Sequence, residues 1–309
     1  MGLKFVNRLT ASISILFCVF GMLALARRLL SASDKATIFS VRASTQSMIT
    51  ADPDSSFWKQ VQGVFANQDT MGDPVTKEVM EIRSRWTQDN LYLLFICAFD
   101  SLYLKPDPNS AQETNHLWNW DVAEAFIGDD FKDINRYKEF EVSPQGEWVD
   151  LDIDRNKPGG SPDGWHWNSG FKVKARIDKD RKVWYAEMCI PFQSISRNPA
   201  TPGLQLRINF FRTQGSGANR LLLTWRPTHA QTFHVPAAFG ILQLAPQMSG
   251  RGDYVLNLFV AAWRGQHSRE TELIARSVRS EKPGGGQLID LARALLNGPA
   301  EVQEAGSRA

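Results

Sequence analysis

The residues with the most chemistry to offer gather between positions 117 and 154. Trp118 and Trp120 precede Asp121 and Glu124, and Glu141, Asp150, Asp152 and Asp154 follow. An indole presents a broad apolar face with one N–H at its edge. An ionised carboxylate is a strong hydrogen-bond acceptor and nothing else. Rings and carboxylates a few residues apart can hold a polar ligand by stacking on one part and accepting hydrogen bonds from another. Asp121 and Glu124 stand among Val122, Ala123, Ala125, Phe126 and Ile127, surroundings in which a carboxylate is rarely left without partners or a task.

Asp150, Asp152 and Asp154 alternate, so on a strand they share one face. Three carboxylates on one face suit a Ca2+ ion, and they equally suit a solvated acidic surface. An EF-hand loop is excluded, because its sixth position falls on Arg155 instead of Gly and its twelfth on Ser161 instead of Glu. His116, His166, His229, His234 and His267 show no H-E-x-x-H spacing, and neither a P-loop nor G-x-S-x-G occurs. Glu124, Glu141 and Asp150 could supply the paired carboxylates of a glycoside hydrolase, but β proteins offer such pairs freely, so no enzyme is assigned. Cys97 and Cys189 lie in apolar runs. They read either as two buried thiols or as one disulfide formed after export.

The elements that must position these groups are short strands. Runs 37–43, 78–86, 91–99, 121–127, 137–142, 148–154, 165–178, 181–190, 204–212, 219–225 and 239–244 carry β-type patterning, with polar turns between them. The 91–99 run lacks alternation, which predicts burial on both faces. Asp52, Pro53 and Asp54 open a turn or short helix carrying Phe57 and Trp58, and 63–74 reads as loop. Many short strands, ten Trp and little helical periodicity predict an all-β, antiparallel β-sandwich of the jelly-roll or immunoglobulin-like kind.

Residues 1–33 stand apart. Lys4 and Arg8 precede an apolar run, 11–26, the layout of a signal peptide or, if retained, a membrane anchor over residues 9–26. Export to the periplasm or the exterior follows, with membrane contact only through this segment. The sandwich is expected over 34–246. The extension 247–309 offers one strand (254–263), one helical spacing (288–296) and a poorly ordered tail. A net charge of +2 on 309 residues gives no reason to expect a nucleic-acid partner, and nothing indicates an oligomeric state.

The order of motifs from 38 to 246 resembles the family 9 carbohydrate-binding modules and their DOMON-like relatives. It comprises Trp118, Asp121 and Glu124 at three-residue spacing, Phe140-Glu141-Val142 leading to Pro144-Gln145-Gly146, WYAEMCIPF (184–192), LRINFFR (206–212), TWRP (224–227) and FGILQL (239–244). The resemblance implies a β-sandwich and a poly- or oligosaccharide ligand clamped between two indoles, here Trp118 and Trp225, with Trp120 as the other candidate platform. It implies Glu124 as an acceptor for sugar hydroxyls and Asn209 and Arg212 as residues of the matching strand. Glu141 departs from the pattern by standing where Arg is usual, which leaves Arg212 or Arg226 to supply the missing donor. Some members hold structural calcium, for which Asp150, Asp152 and Asp154 are the residues available. The function so implied is non-catalytic sugar binding in carbohydrate catabolism, of the kind attached to glycosyl hydrolases. Related sandwiches bind haem for electron transfer, with Met80 or Met188 and His116 or His229 as ligands, and a glycoside-active hydrolase is the third reading.

Overall fold

The computed structural model describes residues 37–59, 61–158 and 161–247. The leader, the C-terminal strand and helix and the tail expected from the sequence lie outside them. The described strands are β1 (Thr37–Arg42), β2 (Val64–Ala66), β3 (Gln68–Asp69), β4 (Met80–Trp86), β5 (Asn90–Ala98), β6 (Val122–Gly128), β7 (Arg136–Val142), β8 (Trp148–Asp154), β9 (Lys172–Asp178), β10 (Val183–Pro191), β11 (Gln205–Gln214), β12 (Leu221–Thr224) and β13 (Gly240–Ala245). One helical turn, α1 (Phe192–Ile195), follows β10.

The strands run side by side in the order β8-β7-β6-β11-β13-β1-β4-β5-β10-β9, with β12 joined to β11. The row doubles back on itself. Ala125, Phe140, Phe210 and Leu242 from one half meet Ile82, Phe95 and Trp184 from the other in a single core. Phe95 and Phe210 touch edge to face across it, their ring centroids 6.2 Å apart. This is a β-sandwich, and its pairs are antiparallel except at β1. That strand runs parallel to β13 through Val41 and parallel to β4 at Val41 and Arg42, so it forms the corner between the layers. Ser84 donates to Ser40 at 2.8 Å, and the Trp86 indole N–H donates to the Ala245 carbonyl at 2.7 Å, closing the corner with buried hydrogen bonds.

β5 is buried on both faces, as its lack of alternation predicts. Leu91, Leu93, Phe95 and Cys97 enter the inter-sheet core. Tyr92 and Leu94 lie on the other face under Trp58 and Val61. The segment carrying Trp58 is pinned by one carboxylate. Glu187 on β10 accepts from the Thr50 and Ala51 backbone N–H groups at 2.8 and 2.9 Å and from the Trp58 indole at 3.0 Å.

Two expectations are corrected. The strand expected over 165–178 begins only at Lys172, because Gly164–His166 forms a 3-10 turn packed against β8. A Cβ on Gly164 would lie 2.5 Å from the Asp152 carbonyl, so this close approach needs glycine. The loop expected over 63–74 contains β2 and β3, edge pieces too short to show a period. Cys97 and Cys189 are both free thiols. They pair opposite Trp184 and Tyr92, five register positions apart. That is about 16 Å along the strands, far beyond the reach of a disulfide.

Replacing Glu187 with Ala strips three donors of a charged acceptor. Its unfolding free energy in urea should fall by about 2–4 kcal/mol. A loss below about 0.5 kcal/mol would show that the segment holds by packing alone.

Candidate ligand-binding site

Strand alternation gives the half-sheet β8-β7-β6-β11 a second face, away from the inter-sheet core. Phe126, Tyr137, Val149, Leu151 and Phe211 make it apolar. Two loops close over it. The turn Leu117–Asn119 brings Trp118, and the segment after β12 brings Phe233 and Phe239. Phe211 and Phe233 stack at 4.3 Å, and Phe126 stacks on Tyr137 at 5.5 Å. Between loops and sheet lies a cavity of about 440 Å³ lined by Trp118, Glu124, Glu139, Arg220, Phe233 and His234, among others.

Trp118 is half-buried and held through its backbone. Arg220 donates to its carbonyl and, at 3.3 Å, to that of Asn119, while the His116 ring meets the indole at 4.8 Å. Asp121 anchors the approach by accepting from Tyr103 N–H at 3.0 Å and Gly215 N–H at 2.7 Å. Its task is structural.

The floor of the cavity is acidic. Glu124 and Glu141 are direct cross-strand partners on β6 and β7, and Glu139 lies two residues from Glu141 on the same face. Carboxylate oxygens from the three lie within 4.8 Å of one another. Their exposures are 2%, 3% and 0% for Glu124, Glu139 and Glu141. Thr213 donates to Glu124 at 3.1 Å. Glu139 Oε2 and both oxygens of Glu141 accept no hydrogen bond. Burial, and then the Glu139 charge, pushes Glu124 well above the usual carboxylate range, with the Thr213 hydroxyl and Arg220 offsetting part. Burial pushes Glu139 up to about 7. Burial and the two neighbouring carboxylates push Glu141 well up, and the Trp118 N–H, outside hydrogen-bonding geometry, only partly opposes them.

The residues singled out in the sequence separate by strand parity. Trp118 and Glu124 line the cavity, while Glu141 is not part of the lining and lies wholly buried beside Glu124 and Glu139. Trp225 does not join them. It pairs across from Phe210, whose carbonyl accepts its N–H, and packs on Phe210 at 5.6 Å against the inter-sheet core. The expected pair of indoles therefore rests on two different cores. Trp120 lies under the Lys105 ammonium at 5.9 Å and is not part of the lining. Asn209 bridges the Arg226 backbone, donating to its carbonyl at 2.9 Å and accepting from its N–H at 3.1 Å. Arg212 is wholly buried, donating to the Glu78 and Ala98 carbonyls at 2.8 and 2.7 Å. Neither Arg212 nor Arg226 reaches the cavity; Arg220 and Arg155 do.

Asp150, Asp152 and Asp154 share a face but answer to separate partners. Asp150 accepts from Ser169 N–H at 2.7 Å, Asp152 pairs with Lys138 at 2.6 Å, and Asp154 pairs with Arg136 at 3.4 Å. Among the described residues, the acidic groups close enough to share one ion are instead Glu124, Glu139 and Glu141. Asp150 also sits on the opposite face from Glu124 and Glu141, which removes it from any catalytic pair with them. The haem ligands named above are not brought together, since Met80 and Met188 are enclosed in the inter-sheet core while His116 and His229 are exposed. Glu139 went unrecognised in the sequence, although K-E-F-E-V places it on one strand face with Glu141. Arg220, Phe233 and His234 carried no local signal.

A scan against family profiles matches residues 52–247 to the carbohydrate family 9 binding domain-like family. The chain belongs to that family. An "Extracellular protein" of Arthroderma benhamiae is 29% identical over 154 residues, covering 46% of this chain and 68% of that protein. Two solved structures share the fold. A family 9 carbohydrate-binding module from Caldicellulosiruptor kristjanssonii, in complex with glucose, matches with TM-score 0.50 and 14% identity over 70% of this chain and 98% of its own. A Bacteroides uniformis protein assigned to carbohydrate binding matches with TM-score 0.53 and 16% identity over 68% and 100%.

Carboxyl groups held above their unfolded range stabilise the fold only while protonated. That stability is complete below about pH 4.5 and is lost as pH rises through the folded values, about 7 for Glu139. His234, pushed down to about 4 by burial and by Arg155, acts in the opposite direction but only below its unfolded value near 6.5. Glu113, raised to about 7 by burial and by Asp150, adds to the fall. In EDTA, the melting temperature should therefore fall as pH rises from about 4.5 through about 7, with His234 offsetting part of the fall below about 6.5 and the Glu139 share exhausted above about 7. Glu139→Gln should remove a large part of that fall. An identical pH profile in the variant would show that the cluster titrates as ordinary carboxylates.

Proposed function

We propose that the chain is a non-catalytic carbohydrate-binding module whose ligand occupies the cavity over Glu124. The observation that carries this reading is the half-buried Trp118 beside buried acceptors in a 440 Å³ recess, within a chain of the carbohydrate family 9 binding domain-like family. Trp118 supplies the flat wall for the C–H face of a sugar ring, and Phe233 with His234 supplies the wall that Trp225 does not. Glu124 accepts from ring hydroxyls, while Arg220 and Arg155 donate from the rim. The glucose complex of the Caldicellulosiruptor kristjanssonii module supports a gluco-configured ligand. Service to polysaccharide breakdown follows from such a ligand.

The full chain should bind gluco-oligosaccharides on a glycan array and by calorimetry. Trp118→Ala should weaken binding by about 1–3 kcal/mol and Glu124→Gln by about 1–2 kcal/mol, both variants remaining folded. Trp225→Ala, corrected for any loss of stability, should leave affinity unchanged. A wild-type protein that binds nothing on the array would sink the reading.

Export belongs to the same proposal. The leader of Lys4, Arg8 and an apolar run supports it, as does the extracellular relative. Among the described residues, no helix is long and apolar enough to cross a membrane. In its native host the protein should be recovered from the envelope or the medium. A soluble cytosolic species with intact Met1 by N-terminal sequencing would overturn export.

A further inference from the structure

We propose that Glu124, Glu139 and Glu141 form a binding site for a hard divalent cation, Ca2+ by preference, at the floor of the cavity. Their oxygens lie within 4.8 Å of one another. Two ligand oxygens on opposite sides of a Ca2+ ion, each at its usual bond length, stand about 5 Å apart. The three groups therefore fit inside one coordination sphere with little movement.

The second observation is independent of that spacing. Glu139 Oε2, Glu141 Oε1 and Glu141 Oε2 are buried and accept no hydrogen bond from any protein donor. Among the described residues, no ion pair reaches any of the three carboxylates. Buried carboxylates are ordinarily satisfied by donors, by a cationic side chain or by a metal ion. Glu141 has no cationic partner, and its one carboxyl neighbour able to donate is Glu139 itself when protonated. The third explains why three acidic groups are kept together. Carboxylates without thiolate select hard cations. The imidazole lining the cavity is engaged elsewhere, His234 Nδ1 meeting the Tyr137 hydroxyl at 2.7 Å. Ca2+ tolerates irregular geometry better than Mg2+, which suits three groups set by strand register.

The ion sits where Glu124 and Glu139 border the cavity, so its remaining coordination positions face the space a ligand enters. Hydroxyl groups of a bound sugar would complete the sphere. That last step rests on the carbohydrate reading above; the cation site does not.

The test uses the full chain, stripped with EDTA and melted with CaCl2 or MgCl2. Ca2+ should raise the wild-type melting temperature by roughly 5–10 °C at a hundredfold excess over its Kd, and more than Mg2+ does. The Glu139→Gln, Glu141→Gln double variant should lose that rise while being at least as stable as the wild type in EDTA, because it no longer buries like charges. No rise with either ion at about 10 mM, above the weakest common Ca2+ affinities, overturns the site. So does a rise that persists undiminished in the double variant, which would place the ion elsewhere. A Ca2+ response in a protein that binds no glycan upholds the cation site and refutes the carbohydrate reading. Glycan binding indifferent to EDTA, in a protein that also shows no Ca2+ response, does the reverse.

Discussion

Strand parity decides what every side chain in this molecule can do. On β6, β7, β8 and β11, alternate residues go either to the inter-sheet core or to the outer face beneath the loops. Phe210 and Arg212 take the first side, Phe211 and Thr213 the second. A shift of one residue in the β6–β11 pairing would carry Glu124 into an apolar layer and bring Ala123 to the cavity. The register is held because both sides are buried and neither can exchange with the other. The site is thus a by-product of how the core is packed, and its composition follows from which residues were left for the outer face.

That face is costly to maintain. Apolar rings make most of it dry, and the dryness is what raises the carboxyl groups within it. Glu124 is eased by a hydroxyl and a distant guanidinium. Glu141 has neither and lies deepest. Glu141 sets a third acidic group beside two others. A guanidinium there would neutralise Glu124 and present donors to the cavity. A carboxylate reverses the polarity of the floor, so what the cavity accepts must bring positive charge, protons or hydroxyl donors with it.

The sandwich was legible in the sequence because its signals are local and redundant. Turn residues separate apolar runs of strand length, and the unalternating run before Phe99 correctly announces burial on both faces. The family resemblance read from Trp118, Asp121, Glu124 and the later motifs agrees with the profile match over residues 52–247. The site was less legible, because its contacts join distant segments. Trp225 was read by type and motif, yet a single step in parity sends it to Phe210. The resemblance offers Arg212 or Arg226 as the donor to the ligand, yet two backbone carbonyls claim Arg212 inside. Glu139 alternates with Glu141, which places both on one strand face. Phe233 and His234 lie on an irregular segment whose place is fixed only by the sheet it covers.

The corner strand has a mechanical consequence. β1 and β13 run side by side in parallel, Thr37 beside Ile241 and Val41 beside Ala245. The chain therefore enters this pair at one end and leaves it at the other. Tension between the two flanking segments would pull the strands lengthwise past each other, loading the whole ladder of hydrogen bonds at once instead of peeling them in turn. A module gripped at both flanks would resist tearing as a lap joint does, and the joint lies in the middle of the sheet, where no edge is free to start the tear.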